Sequence, residues 1–595
     1  MGFVTTSAVQ HFIFDQKYSK KGATRATHRA AERVDASGDL VELVSVVLVN
    51  YIKTEIPQTL GRSVPRVCRC RPVRPTDACE SLGRRLTPPE ILALQHTGPY
   101  TRDPLRVKLI LHPDAVRLFL IEIFQESMSF VKQMMIRSGE RDVTKLSIEQ
   151  IARTQAARPQ VHTPRTEYTI ASPSLNCDTK SHADAIEIND YTDSLSDKPD
   201  PAAEMLARMY PSMPPPMQAS LCGPIASRMG TVAKILRGDG QSVITMATGK
   251  LQNPQSFSKV VDASGSFHAH GHFEFCAVEG FYDIKYGRTA TLLNKEKVPK
   301  HIQNFENDSF KHADTHIRED LVGTLAFLLL DVTDPPPELL LDDPMEYRRQ
   351  LVCAGGIACF ESMFYAGIPS AHWKLAARSA DGEKCTKLEA YSFHAQRSWA
   401  HKPVETRVML ISLLASQTTH PKIAEMVKQT AFFSWLGLDG SCVYADQACE
   451  FLNLLQDQRR GRFAAFESAL EFTPALGLFM HVNKALEEVE VGDREASDPL
   501  KAATINAASV IRADLKARLG TDLTVHDDHN PIFRTGGAPN TLRSTASLSH
   551  RPYEFIWQVA DGRCNGAGRG ATRPEAWDTY VDRFIQENLW TKARY

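Results

Sequence analysis

The chain has 595 residues, too many for a single hydrophobic core, and its length predicts about three or four domains. With 43% hydrophobic and 23% charged residues it has an ordinary globular composition, which excludes a disordered or fibrous protein. A formal net charge of -1 excludes a polycation that holds nucleic acid through bulk charge.

The charge is nevertheless unevenly spread. Met1 to Ile110 carries 17 Lys and Arg against 10 Asp and Glu, and Gly61 to Arg74 is the densest part. There Arg62, Arg66, Arg69, Arg71 and Arg74 suit phosphate contacts, with a solvated Arg-rich loop as the plain alternative. Cys68, Cys70 and Cys79 form the one cysteine cluster, and without a fourth ligand nearby they predict no zinc site. The 12 cysteines follow no framework and no signal peptide opens the chain. The expected compartment is therefore intracellular, the nucleus included. The longest apolar run, Leu321 to Leu330, is about half of what a bilayer requires, so no membrane partner is expected.

In chain order, Ala115 to Ile136 has helical apolar spacing, and Thr154 to Lys180 reads as a polar linker. Ala185 to Ile188 alternates like a strand ending at Asn189-Asp190; a Pro-rich break follows, and a second strand-like run, Val232 to Leu236, leads to Asp239. Helices are then expected over His312 to Val332, Met345 to Tyr365, Pro403 to Ser416, Pro421 to Trp435, Tyr444 to Gln458, Arg462 to Val489 and Pro499 to Leu519. Thr521 to His550 reads as loop, Tyr553 to Val559 as strand and Pro574 to Leu589 as helix. The expected fold class is predominantly α with a small α/β unit. The expected division is a helical, basic region at 1–165, a strand-bearing core at 166–335, a helical domain at 336–492 and a helix, loop and strand-helix region at 493–595.

Four groups of residues could carry chemistry. Asp190 and Asp239 each end a strand-like run, as carboxylates bridging two metal ions must, although Gly238-Asp239-Gly240 also reads as a simple turn. His268, His270, His272 and Glu274 would share one face of a strand and could hold a single metal there. The helix-rich context favours a helix start instead, pairing His268 with His272 and His270 with Glu274. His312-x-x-x-His316 with Glu319 and Asp320 has zinc-like spacing but reads as a solvated helical turn, since Ala313 replaces the Glu of a metalloprotease motif. The glycine-rich segment after Gly562 leaves too little chain for a dinucleotide fold, so Arg563 and Arg569 read as nucleic-acid backbone contacts.

Three of these pieces, taken in order, resemble a transposon-derived protein family of fungi and protists. They are the strand ending in Asn189-Asp190; Gly238-Asp239-Gly240-Gln241 with Gly265-Ser266-Phe267-His268; and the helix from Asp446 to Gln456 with its Asp, Glu and Asn spacing. The resemblance covers about Ala185 to Val489 and departs from the family at Gln456, where relatives carry a basic residue. It implies a degenerate ribonuclease H-like core with a large helical insertion, binding DNA. Asp190, Asp239 and Glu450 would be the catalytic carboxylates, with Glu361 as second choice for the third. They would hold Mg2+ or Mn2+ for strand transfer or nuclease chemistry. Whether the chain is an enzyme stays open: a folded but catalytically silent copy, a non-catalytic helical interaction protein and a single-metal hydrolase built on His268, His270, His272 and Glu274 are the alternatives.

Overall fold

A computed structural model describes residues 2–5, 10–12, 104–156, 169–172, 234–252, 260–281, 310–397, 403–417, 421–433, 442–450 and 499–525. Two short strands come first, β1 (Gly2–Thr5) and β2 (Gln10–Phe12). Helices α1 (Pro104–Ile110), α2 (Pro113–Arg137) and α3 (Ile148–Ala156) follow. Next are β3 (Thr169–Ser172), β4 (Lys234–Gly238), α4 (Gly240–Gln252), β5 (Val260–Ser264) and α5 (Ser266–Phe281). The helical part comprises α6 (Phe310–Leu330), α7 (Pro337–Asp342), α8 (Pro344–Gln350) and α9 (Ala354–Ser362). A π-helical turn, Met363–Gly367, joins α9 to α10 (Ile368–Ser379), and α11 (Gly382–Ala395) follows. Then come α12 (Pro403–Ser416), α13 (Pro421–Gln429), β6 (Phe432–Phe433), β7 (Val443–Tyr444) and α14 (Pro499–Leu519). The described residues are predominantly helical, as their apolar periodicity predicts.

The strands form a five-stranded sheet in the order β3-β1-β2-β4-β5 and a small β6-β7 pair. β2, β4 and β5 run parallel, whereas β1 is antiparallel to both β2 and β3. In β4 and β5 the apolar side chains Ile235, Val261 and Ala263 pack with Ala415 of α12 and Val427 of α13. Gly238 is in register with Ser264, so the two strands end side by side and α4 and α5 start from the same edge.

One hydrophobic core draws on α2, α5, α6, the α9–α12 series and α14. Phe124, Phe360 and Phe364 stack at its centre, with Phe124 at 5.0 and 5.3 Å from the other two rings. Trp373, Tyr391, Phe273 and Phe327 are fully buried around them; each such side chain contributes about 1.5–3 kcal/mol by leaving water. This core extends from Val107 to Leu523 and crosses all three expected domain boundaries.

Several expected elements are corrected. The single helix over Met345 to Tyr365 is broken at Leu351–Cys353, because the Val352 and Cys353 amides donate to Leu523 O (3.0 and 2.8 Å) rather than to their own helix. The helix from Pro421 stops at Gln429, because Phe432 and Phe433 pair with Tyr444 and Val443. The Tyr444 end of the next expected helix is likewise a strand, with helix only over 445–450 of the described part. The expected linker from Thr154 to Lys180 contains β3, which lines up with β1 from Gly2↔Ser172 to Thr5↔Thr169. Helices α4, α7, α10 and α11 and strands β1, β2 and β5 arise where the sequence reading placed none. The segments Ala185 to Ile188, Arg462 to Val489, Tyr553 to Val559 and Pro574 to Leu589 lie outside the described residues.

Candidate functional site

The site lies where β4 and β5 end. Asp239 follows β4 and starts α4 as its N-cap: its Oδ1 accepts from the Ser242 amide at 2.8 Å and its carbonyl from the Val243 amide at 3.0 Å. A side-chain oxygen in that position satisfies an amide that no helical carbonyl can reach. Beside it the Gly265 amide donates to Gly238 O (2.9 Å), carrying the sheet ladder to its last rung before α5 begins.

The start of α5 is capped from a distant part of the chain. Asp446 accepts from the Phe267 and His268 amides, both at 3.1 Å, and from His268 Nδ1 at 2.9 Å. β6 and β7 hold the Asp446 turn in place, with the Ala445 amide donating to Ala431 O (2.9 Å) and Tyr444 Oη to Trp373 O (2.6 Å). Gly265 is required here: a Cβ on it would lie 2.7 Å from Asp446 Cβ and nearer still to the carboxylate. An anion at a helix N-terminus is favoured by the helix dipole, whereas the cationic ring of His268 at the same end is not. Asp446 thus stabilises both the helix end and the imidazolium.

Burial opposes the charge on His268, but the Asp446 hydrogen bond and the charges of Asp446, Glu450 and Asp239 outweigh it and raise its pKa to about 9. Glu450 stands four residues after Asp446 on the same helical segment, so both project from one face. The His268 and Asp446 side chains are 15% and 8% exposed; Asp239, Gly240 and Glu450 are half-buried and Gln241 is exposed. Solvent therefore meets a rim of Asp239, Gln241 and Glu450, whereas the His268 ring nitrogens and Asp446 are buried.

A second polar layer lies under this rim. Arg237, buried in β4, donates to Ser264 O (2.7 Å) and to Val427 O. Burial lowers its pKa while the charges of Glu389 and Asp446 resist the change. Glu389 of α11 accepts from Ser266 Oγ at 3.4 Å, and burial raises its pKa to about 7 against the pull of Arg237. Sequence reasoning passed over Arg237, Glu389 and the cap role of Asp446. The available signal was a guanidinium directly after the apolar pair Ile235-Leu236 of a strand.

The other expected site residues fare differently. The strand-like metal face of His268, His270, His272 and Glu274 is corrected: α5 is helical, and residues two apart on a helix are turned by roughly 200°. His270 Nε2 instead meets Glu274 Oε1 at 2.8 Å in the interior, with Ser370 Oγ donating to the same oxygen and the ring stacked 5.4 Å from Trp373. His272 is half-buried. Glu361, the second choice for the third carboxylate, is buried and accepts from Arg348 of α8 at 2.7 Å. His316 and Asp320 are buried rather than solvated, because α6 packs inside the core; burial lowers the His316 pKa to about 4 and raises that of Glu319 to about 7. Asp190, Arg62, Arg66, Arg69, Arg71, Arg74, Arg563 and Arg569 lie outside the described residues, as do Cys68, Cys70, Cys79 and the His312 side chain.

The described residues do not complete the two-ion centre that the resemblance implies. Asp239 and Glu450 are two carboxylates at the rim, but both oxygens of Asp446 are committed to α5. Among the described residues no three His, Cys, Asp or Glu side chains are grouped to hold a metal ion. No helix among the described residues is long and apolar enough to cross a membrane. No family model matches the chain, and neither a curated protein nor a solved structure does.

Proposed function

We propose that the chain is a transposon-derived, ribonuclease H-like protein that binds DNA and acts on its phosphodiester backbone at the rim of Asp239 and Glu450. The observation that carries this reading is that two of the three groups in the resemblance, Gly238–Gln241 with Gly265–His268 and the start of the Asp446 helix, lie at one edge of a parallel sheet, the Asn189-Asp190 group being outside the described residues.

In this reading a water or 3′-hydroxyl oxygen bonds to phosphorus as the bond to the leaving oxygen breaks. Asp239 and Glu450 are the carboxylates placed to take the nucleophile's proton. The buried imidazolium of His268 behind them contributes positive charge as negative charge develops on the phosphate. Mg2+ or Mn2+ would need a ligand beyond the described residues, and Asp190 is the proposed one.

Cleavage and strand joining of labelled DNA in Mg2+ or Mn2+ test this reading. Asp239→Asn and Glu450→Gln should each lower the rate by about 100-fold or more while DNA affinity persists, since both act on the reacting atoms. Equal rates in the two variants and the parent chain would overturn it.

One observation favours a second reading. Asp239 already has a structural task as the cap of α4, as expected of an acid in a non-catalytic helical interaction protein. On that reading no divalent-ion-dependent cleavage occurs, and Asp239→Ala changes stability alone.

A further inference from the structure

Arg237 is a cation buried within a strand, and its bonds go to neutral oxygens. The guanidinium donates to Ser264 O at 2.7 Å, to Val427 O and, at 3.5 Å, to Thr430 Oγ1. The carboxylates of Glu389 and Asp446 act on it through their charge. A charge taken out of water is costly, so its place directly before Gly238 needs a reason.

The acceptors supply one, because they mark chain ends. Ser264 is the last residue of β5. Val427 lies in the last turn of α13, where carbonyls lack a helical partner and a cation is favoured by the helix dipole. Thr430 opens the link from α13 to β6.

We infer that Arg237 is a positioning residue: it ties the ends of β4, β5 and α13 together and so fixes the point at which Asp239 leaves the sheet. The inference rests on the reading of Asp239 as a group that acts on DNA, and it adds a residue that the proposed reaction does not itself use.

Two features of this strand end make such a tie necessary. Asp239 stands between Gly238 and Gly240, and glycines give the chain more conformations than other residues do. The ends of elements are also where hydrogen bonds open first. The backbone supplies one rung there, from the Gly265 amide to Gly238 O at 2.9 Å. Arg237 adds a second in the opposite direction, from β4 to the Ser264 carbonyl. The same planar fork reaches α13, a geometry that a lysine ammonium does not fix.

The test follows backbone amide exchange of the full chain in EDTA by mass spectrometry. It compares the parent with Arg237→Met, Arg237→Lys and the double variant Arg237→Met with Glu389→Gln. The double variant also neutralises the carboxylate that loss of Arg237 would leave buried, so it separates the tie from the charge balance. Segments holding the Ser242 and Gly265 amides should exchange about tenfold or more faster in Arg237→Met and in the double variant, while α2 exchanges as in the parent. In DNA cleavage both variants should lose about tenfold or more in kcat with KM little changed, as misplacement of a reacting group does. Arg237→Lys should recover part of each loss.

Parent-like exchange at the strand ends in Arg237→Met, or its return in the double variant, would overturn the inference and leave Arg237 as the counter-charge of Glu389. Equal acceleration in α2, or loss of the fold in both variants, would also overturn it, since Arg237 would then support the whole core. Cleavage at the parent's rate from a loosened edge would remove its role toward Asp239. A parent chain that does not cleave DNA counts against the proposed function, and the exchange comparison still decides whether Arg237 holds the strand ends.

Discussion

Gly265 and Asp446 share one small volume: the glycine's missing Cβ is where the carboxylate of a residue far along the chain sits. This contact holds the end of β5, the start of α5 and the Asp446 turn together. The edge of the sheet therefore depends on it more than on either element alone.

That dependence predicts non-additive energetics. Gly265→Ala should destabilise the protein by about 1–3 kcal/mol, because the new methyl must displace buried groups. Asp446→Ala should cost at least the ~1 kcal/mol of a lost cap. In the double variant the methyl no longer meets the carboxylate, so the combined cost should fall below the sum of the two. Urea denaturation of the four proteins measures this, and additive costs would separate the two residues.

Asp239 carries a cap and, in the proposed reading, a chemical role; stability alone isolates the first. Asp239→Ala should cost about 0.5–2 kcal/mol, as lost caps do. Asp239→Asn should stay within a few tenths of a kcal/mol of the parent, because an amide oxygen accepts from the Ser242 amide equally well. A loss in Asp239→Asn as large as in Asp239→Ala would show that the negative charge, not the cap, stabilises the strand end.

The buried histidines predict acid sensitivity. Burial lowers the pKa of His316 to about 4, and of His372 and His394 to about 3, against 6.5 for the exposed ring. Folded values below unfolded ones mean that the unfolded chain binds more protons in between. The three histidines should therefore lower stability as pH drops from about 6.5 toward 4, at ~1.4 kcal/mol for each pH unit and each histidine fully within its window, with Glu319 and Glu389, raised to about 7, offsetting part of the loss above about 4.5. His268 has the opposite sign: its contribution is complete below pH 6.5 and is lost as pH rises through about 9. Thermal melts from pH 4 to 10 should show both flanks, and His268→Gln should flatten the alkaline one.

Local signals explain what could be read without the fold. Ala115 to Ile136 has an apolar stripe that needs only burial, and α2 forms over it with one residue more or two at its ends. Pro403 and Pro499 open α12 and α14 at the expected residues, since proline suits a first helical turn. The break at Val352 was not legible because its cause is the carbonyl of Leu523, and β6 needs Tyr444 as its partner. The site divides in the same way. Asp239 stood out as an acid between glycines at a strand end, whereas His268 and Asp446 are 178 residues apart and no local pattern links them.

The α6–α14 contact gives the last prediction, which concerns how the C-terminal part of the described chain is held to the core. Gly323 of α6 lets the helices approach closely: a Cβ there would lie 2.7 Å from Ile511 Cβ and 2.9 Å from the Ala508 carbonyl. Further along, Asp331, buried at the end of α6, receives Arg512 Nε at 2.6 Å, Arg512 Nη2 at 3.2 Å and Lys516 Nζ at 2.8 Å. The bidentate arginine is the stronger partner, and the lysine, 56% exposed, is screened by water. Lys516→Ala should therefore change stability by less than about 1 kcal/mol. Arg512→Ala should cost more, and Asp331→Ala, which releases both cations, about 2 kcal/mol or more. Gly323→Val should act on the same contact by forcing the helices apart, so limited proteolysis should cut near α14 first in Gly323→Val and Asp331→Ala. If α14 stays as protected as in the parent chain, the clamp is not what joins it to the core.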